Sequence, residues 1–240
     1  MGLSEELDLL SKLVGMNTDS TTKQNYSQCA DLIETEAKKI GLKTNVCDSA
    51  DISADKKPRP SVLASLEVGA PHRILLATHY DVVSAGEGWK SDPFRLTVTG
   101  DRAYGRGSCD DKGAIVSALS ALKELTVRCS SKANVSLLAC PEEEVGGELG
   151  LGYLVDHVKL GGDFAVVLDA SPDMLTVAAC APIWGKIVVK GKQGHAGYPH
   201  KAANAIEEAL PFLNDLMKYS RVRERIRSKI PAPPGSPYDY

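Results

Sequence analysis

Apolar residues recur at helical spacing over residues 3–14, with Ser4 placed as an N-cap and Glu5 and Glu6 in the first turn. Residues 26–40 repeat the pattern, and Gly41 follows where a helix C-terminus takes a left-handed residue. The period then shortens to alternation over residues 42–47, which predicts a strand, and the polar, proline-containing stretch 50–60 reads as a loop. Residues 61–67 and 73–78 are apolar runs of strand length. The second contains Ile74-Leu75-Leu76-Ala77, nearly continuous, as in a strand buried on both faces. A loop over 82–93, a short strand over 95–98 and a helix over 112–125 come next. Residues 134–139 form another buried strand that stops before Pro141, 148–158 a helix, and 164–168 a last buried strand. Strands alternating with helices predict an α/β domain, a twisted and mostly parallel sheet flanked by helices.

After about residue 181 the texture changes. Residues 184–190 alternate, a loop rich in Gly and His follows, and a helix is predicted over 202–217, with Pro211 expected to kink or break it. The expected organisation is a metal-binding catalytic domain over residues 1–181 and the start of a smaller α+β lid or dimerisation domain over 182–240, ending in a proline-rich tail.

Composition narrows the function classes. The chain has 240 residues, 43% apolar and 25% charged, with a net charge of −3, which is ordinary globular composition. No basic stripe with interleaved aromatic residues points to nucleic acid, and the run 221–229 reads as a solvated helix face. No stretch approaches the roughly 18 apolar residues of a membrane span. The first residues lack the charged-then-apolar pattern of a secretion signal. The six cysteines are scattered without a C-x-x-C pair and read as reduced, mostly buried thiols, so a cytoplasmic location is expected.

Candidate chemistry gathers where buried strands stop. His79 and Asp81 follow the strand 73–78; an imidazole is a good zinc ligand, and a carboxylate two residues on can orient it, although a strand-end His and Asp also occur as plain solvent-facing residues. Gly105-Arg106-Gly107-Ser108-Cys109-Asp110-Asp111 precedes the helix at 112. Capping would explain one aspartate but not a glycine-bracketed pair, and the run is neither a P-loop nor G-x-G-x-x-G. Glu142-Glu143-Glu144 follows the strand 134–139 and Pro141 and is closed by Gly146-Gly147. Three glutamates are usually a solvated face, but this placement favours a site in which one ligates metal and another acts as a general base. Asp169 follows the strand 164–168. In open α/β sheets ligands bind beyond the carboxyl ends of strands, so these acids are expected to meet at one sheet edge, where clustered carboxylates call for cations.

These motifs together resemble the zinc amidohydrolases that include acetylornithine deacetylase, succinyl-diaminopimelate desuccinylase, aminoacylase, glutamate carboxypeptidase and related dipeptidases. The resemblance runs through His79-Tyr80-Asp81-Val82-Val83, Gly88-Trp89, Pro93-Phe94, Tyr104-Gly105-Arg106-Gly107, Asp110-Asp111-Lys112-Gly113, Glu142 to Gly147, and Gly194-His195-Ala196-Gly197 with Pro199-His200. It implies two zinc ions, with cobalt or manganese as alternatives. His79 and Asp169 would hold one ion, Asp110 would bridge, and Glu144 would hold the second. It implies Glu143 as general base, Asp81 as the group that orients His79, and His195 as an oxyanion-stabilising residue that reaches a partner subunit's site. The implied substrate is a small N-acyl amino acid or short peptide, and the implied assembly is a homodimer of the full-length form.

The same resemblance implies a longer chain, whose returning part supplies a last His ligand to the second ion. No His follows His200, so the sequence is expected to be a fragment or a natural truncation. Three functional readings follow: an N-acyl amino acid deacylase, a dipeptidase or carboxypeptidase on the same scaffold, or a non-catalytic remnant that binds a partner or a metal.

Overall fold

The computed structural model describes residues 2–170, 176, 185–227 and 229. The chain divides into two compact units, Met1–Met174 and Leu175–Tyr240. The residues around 181, and the tail beyond 229, lie outside the described residues.

The first unit contains α1 (Leu3–Val14), α2 (Tyr26–Lys39), β1 (Lys43–Asp48), β2 (Pro60–Leu66), β3 (Arg73–His79), β4 (Thr97–Thr99), β5 (Arg102–Tyr104), α3 (Lys112–Arg128), β6 (Asn134–Cys140), α4 (Leu151–Asp156) and β7 (Phe164–Val167). Five strands form one sheet in the order β1-β2-β6-β3-β7. The α/β class holds. The sheet is mixed, with parallel pairing confined to β6, β3 and β7, while β1 and β2 join antiparallel. Crossovers through α3 and α4 bring β6 and β7 alongside β3 in the same direction, whereas β1 runs back into β2 through residues 49–59, which hold a 3-10 turn at Ala50–Ile52.

The register matters for the site. His79 pairs with Cys140, and Ala77 with Val167, so β3, β6 and β7 end side by side and the segments after them emerge at one edge. Side chains alternate across the sheet. Leu137 and Ala139 of β6 face a cluster with Leu13 of α1, Ile33 of α2 and Leu119 and Leu122 of α3, while Leu138 and Cys140 face Leu154 of α4. Each fully buried Leu or Ile stabilises the unit by roughly 1.5–3 kcal/mol, which anchors both layers.

Several elements differ from expectation. Gly2, not Ser4, occupies the N-cap of α1, and no side chain caps it. The single strand expected over 95–98 is the β4–β5 hairpin, with Gly100 at φ +63 in its turn. α4 is shorter than predicted because the Gly146-Gly147 turn takes up the residues before it, and a side chain on Gly150 would collide with the Pro141 carbonyl. β7 is not buried: Phe164 is 65% and Val167 61% exposed, and among the described residues the strand pairs only with β3. A short apolar run looks alike in a central and an edge strand. Cys29 and Cys140 are buried, Cys47 is half-buried, and Cys109 and Cys129 are exposed, all as free thiols; so the expectation of mostly buried cysteines fails, and Cys180 lies outside the described residues.

In the second unit, residues 185–190 carry no strand, and Lys192 pairs with Ala203 in an isolated bridge. The helix α5 (Ala205–Arg223) runs through Pro211 without a break. The proline removes only one donor, and the helix is fixed at its start by Asn204, whose Oδ1 accepts the Ile206 N–H at 3.0 Å.

A buried loop laces the N-terminal region to the segment after β3. Thr18 Oγ1 donates to the Tyr80 carbonyl at 2.6 Å, and Ser20 N–H to the Val82 carbonyl at 2.9 Å. Asp19 accepts from Thr21 N–H at 2.8 Å and from Ser84 Oγ at 2.5 Å. Burial pushes the Asp19 carboxyl up, but the bonds from Ser84, Thr21 and Thr22 outweigh it and hold it at about 2. A carboxyl held below its unfolded value stabilises the fold above that value and loses the contribution as pH falls through the folded one. Asp19→Asn is therefore expected to cost about 2 kcal/mol near neutral pH. Urea melts of both proteins should show that gap closing between about pH 4 and pH 2.

Candidate metal centre

β3 delivers three buried residues in succession, His79, Tyr80 and Asp81. Alternation sends Tyr80 to the opposite side from its neighbours. There its hydroxyl donates to the Pro60 carbonyl at 2.6 Å, and its ring meets Tyr26 edge-on at 5.4 Å. Anchoring Tyr80 fixes the backbone between His79 and Asp81.

His79 Nδ1 lies 3.0 Å from the Asp81 carbonyl and 3.3 Å from its carboxylate. A proton on Nδ1 satisfies both contacts and leaves Nε2 facing the sheet edge. Around Nε2 stand Asp110 Oδ1 at 2.9 Å, Asp169 Oδ2 at 3.9 Å and Glu143 Oε2 at 4.0 Å. Asp110 comes from the loop before α3. Gly107 in that loop has φ +79, and a Cβ there would lie 2.7 Å from Val82, so only glycine lets the loop pass this close. Asp111 occupies the N-cap of α3 without a side-chain cap. Its buried carboxylate instead accepts the His79 N–H at 3.3 Å, so side-chain capping does not explain even this one aspartate. Burial pushes Asp111 up to about 6, against the bonds from Thr78 and His79.

The glutamates sit on a 3-10 turn, Glu143–Val145, between Glu142 at φ +68 and Gly146 at φ +112. Asp81 grips this turn: Oδ1 accepts the Glu143 N–H and Oδ2 the Glu144 N–H, each at 3.2 Å. Glu144 Oε1 in turn accepts the Val83 N–H at 3.3 Å. Asp81 is thus shared between the imidazole and the glutamate turn. Burial raises the Glu143 carboxyl, with His79 opposing and Asp169, Asp81 and Asp110 adding to the rise. Glu144 is raised by burial and by Asp110.

The cluster favours positive charge. Burial disfavours protonated His79, yet the bond to and charge of Asp81, with Asp111 and Glu143, push its pKa up to about 10. Surroundings that hold a proton this firmly on a buried ring stabilise a cation at the same place. The geometry suits one. His79 Nε2 and one oxygen each of Asp110 and Asp169 lie within 4.8 Å of one another, the one such trio among the described residues. Ligand atoms about 2.0–2.1 Å from a tetrahedral zinc lie roughly 3.4 Å apart, and the 2.9 and 3.9 Å separations bracket that value. A mixed nitrogen and oxygen set fits zinc, and cobalt and manganese as well. Glu144 stands outside the trio.

The other histidines have contacts of their own. In the second unit, His195 Nδ1 accepts the Gly197 N–H at 3.0 Å, so a neutral ring carries its proton on Nε2, where it can donate. His200 meets the Tyr198 ring edge-on, His72 faces Asp163, and His157 stacks on Tyr153. Three residues at or beneath the site were not singled out from the sequence. Lys112 is fully buried and donates to the Leu13 and Met16 carbonyls, both at 2.8 Å, tying the start of α3 to the end of α1; burial pushes it down to about 8. Glu142 and Arg59 form a buried pair at 2.9 Å. The Glu-Glu-Glu run and the Asp-Asp-Lys run hold a signal for two of these, but nothing in the polar stretch around Arg59 does.

Known proteins resemble this chain in sequence and in fold. The chain is 33% identical over 167 residues to succinyl-diaminopimelate desuccinylase of Gluconobacter oxydans, covering 66% of this chain and 44% of the relative. It is 27% identical over 227 residues to the uncharacterized metallohydrolase MMP1398 of Methanococcus maripaludis, covering 88% of this chain and 55% of that one. The chain thus spans about half the length of these relatives. Among solved structures, the M20 family metallo-carboxypeptidase Sso-CP2 from Sulfolobus solfataricus superposes with a TM-score of 0.61 at 30% identity, over 70% of this chain and 38% of that one. A tripeptidase from Staphylococcus aureus shares the fold at a TM-score of 0.60 and 16% identity, over 93% of this chain and 56% of that one. The model of peptidase family M20/M25/M40 matches residues 75–227, a span that takes in His79, Asp110, Glu143, Glu144, Asp169 and His195. The histidine, the aspartate loop, the glutamate turn and the β7 aspartate therefore stand within a chain that belongs to peptidase family M20/M25/M40.

Proposed function

We propose that this chain forms the metal-binding part of a hydrolase that cleaves the amide bond of a small N-acylated amino acid, in the manner of a desuccinylase or deacetylase. The observation that carries the reading is the convergence of His79, Asp110 and Asp169 within 4.8 Å, with Glu143 Oε2 4.0 Å from His79 Nε2. His79 and Asp169 would hold one divalent ion, zinc by preference, Asp110 would be shared, and Glu144 would hold a second. Such ions supply an acidic water at neutral pH and polarise a carbonyl.

The chain's own residues do the rest. Asp81 fixes the His79 tautomer through Nδ1 and carries the glutamate turn on its two oxygens. Glu143 takes the proton of the attacking water on its carboxylate and passes it to the departing amine. Its raised pKa is the direction a base working near neutral pH needs. His195, with its proton on Nε2, would donate to the developing oxyanion across a homodimer.

A peptidase reading rests on the likeness to the metallo-carboxypeptidase Sso-CP2. Zinc loading followed by dialysis, then assays with N-succinyl-diaminopimelate, N-acetylornithine and dipeptides, separates the readings. The expected result is zinc retained by the chain and turnover of the acylated amino acids over the dipeptides. Preference for dipeptides would move the assignment to the peptidase reading, and a chain that emerges free of zinc would sink both.

A further inference from the structure

We propose that Arg59, acting through Glu142, is a positioning residue that sets where the Glu143–Glu144 turn sits against Asp81; this rests on the roles given to those glutamates above. Glu142 joins the end of β6 to the turn with φ +68, a left-handed backbone that a residue other than glycine keeps only when its surroundings determine it. The surroundings here are polar and buried. The Glu142 carboxylate accepts from Arg59 Nε at 2.9 Å and from the Tyr26 hydroxyl at 3.2 Å, and Lys23 Nζ lies 3.4 Å away. Its partners differ from those of Glu143 and Glu144, so the three consecutive glutamates split, one beneath the site and two in it.

Arg59 is only 3% exposed and is itself held. Its two terminal nitrogens reach the two oxygens of Asp55 at 2.7 and 2.9 Å, and its backbone N–H donates to Asp48 at 2.9 Å. The next residue, Pro60, supplies the carbonyl that accepts the Tyr80 hydroxyl. The step Arg59-Pro60 therefore supports both halves of the centre: the β3 end through Tyr80, and the glutamate turn through Glu142. A buried ion pair contributes little to stability compared with apolar packing of the same volume, so its effect here is on geometry. Only a planar fork holds Glu142 and Asp55 together, which a lysine at this position does not reproduce.

The test uses the full chain with Arg59→Lys and Glu142→Gln, and Leu122→Ala as a control that loosens the core away from the site. Three quantities are measured: thermal midpoint, exchange of the 143 and 144 amide protons without added metal, and cobalt affinity by competition with a coloured chelator. Both site variants are expected to speed exchange at residues 143 and 144 by about tenfold and to weaken cobalt binding about 10–100-fold. Leu122→Ala should lower the midpoint at least as far while leaving both readouts near wild type. If Arg59→Lys does not fold, Glu142→Gln, which keeps the side-chain shape, decides alone. Unchanged exchange in the site variants, or an equal change in Leu122→Ala, overturns the proposal. A wild-type chain that binds no cobalt, but whose 143 and 144 amides respond to the variants, removes the metal reading and leaves the positioning role standing.

Discussion

Replacing Glu143 by Gln is expected to lower kcat by about 10²–10⁴ while zinc stays bound. The substitution keeps the size of the side chain and the backbone N–H that Asp81 Oδ1 accepts at 3.2 Å, so the turn keeps its anchor. It removes the one carboxylate near His79 Nε2 that is assigned neither to metal binding nor to orienting the ring. Glu143 stands 4.0 Å from that nitrogen, close enough to serve the same small volume, and its side chain is half exposed, so substrate and water can reach it. Metal content per chain, measured on the same preparation as the rate, separates lost proton transfer from lost metal. Full activity in Glu143→Gln would remove the residue from the role of base. Loss of metal together with activity would make it a ligand instead.

Asp81→Asn should have the second-largest effect, a fall in zinc affinity of about 10–100-fold. Asp81 accepts at both oxygens, from the Glu143 N–H and from the Glu144 N–H, and faces the Nδ1 side of His79. Asparagine replaces one oxygen with an NH₂ group. One backbone N–H then meets a donor rather than an acceptor, a mismatch of about 1–3 kcal/mol in a buried position. The loss falls on the link between the imidazole and the glutamate turn, so ligand orientation suffers on both sides at once. Titration with zinc against a chelator, alongside a thermal melt, reads both consequences. A variant with wild-type zinc affinity would show that Asp81 is packing and not orientation.

Much of this centre was legible in the sequence for a physical reason. A strand buried on both faces ends abruptly, and an acid or histidine immediately beyond it has only the sheet edge to occupy. Hence His79, Glu143 and Glu144 could be read from periodicity and punctuation, Asp110 from its glycine-bracketed loop and Asp169 from an apolar run that only resembles a buried strand, and resemblance to a family supplied their expected division of labour. What could not be read depends on pairings distant in sequence. Arg59 and Glu142 are 83 positions apart, and Tyr26 and Glu142 are 116 apart. No local pattern marks Arg59, in a polar stretch, as a residue that folding buries. The same holds for Lys112, which ordinary composition rules place on the surface and which two helix-end carbonyls draw inside. The exposure of β7 was invisible because apolar alternation reports what a strand is made of and not which neighbours cover it.

Asp169 follows this sparsely covered strand. β7 pairs with β3 alone among the described residues, and Phe164, Val166 and Val167 are exposed. Among the described residues its hold on the sheet is a four-residue pairing with one neighbour, and Asp169 beyond it reaches toward His79 and Asp110. An ion bound by all three would fasten β7 down, adding about 2.7 kcal/mol when the free ion stands at 100 times its Kd. Starvation for metal would then do more than stop a reaction. It would loosen the strand beside β3 that leads to one of the ion's ligands. In such a protein, metal supply and the stability of the fold become one quantity.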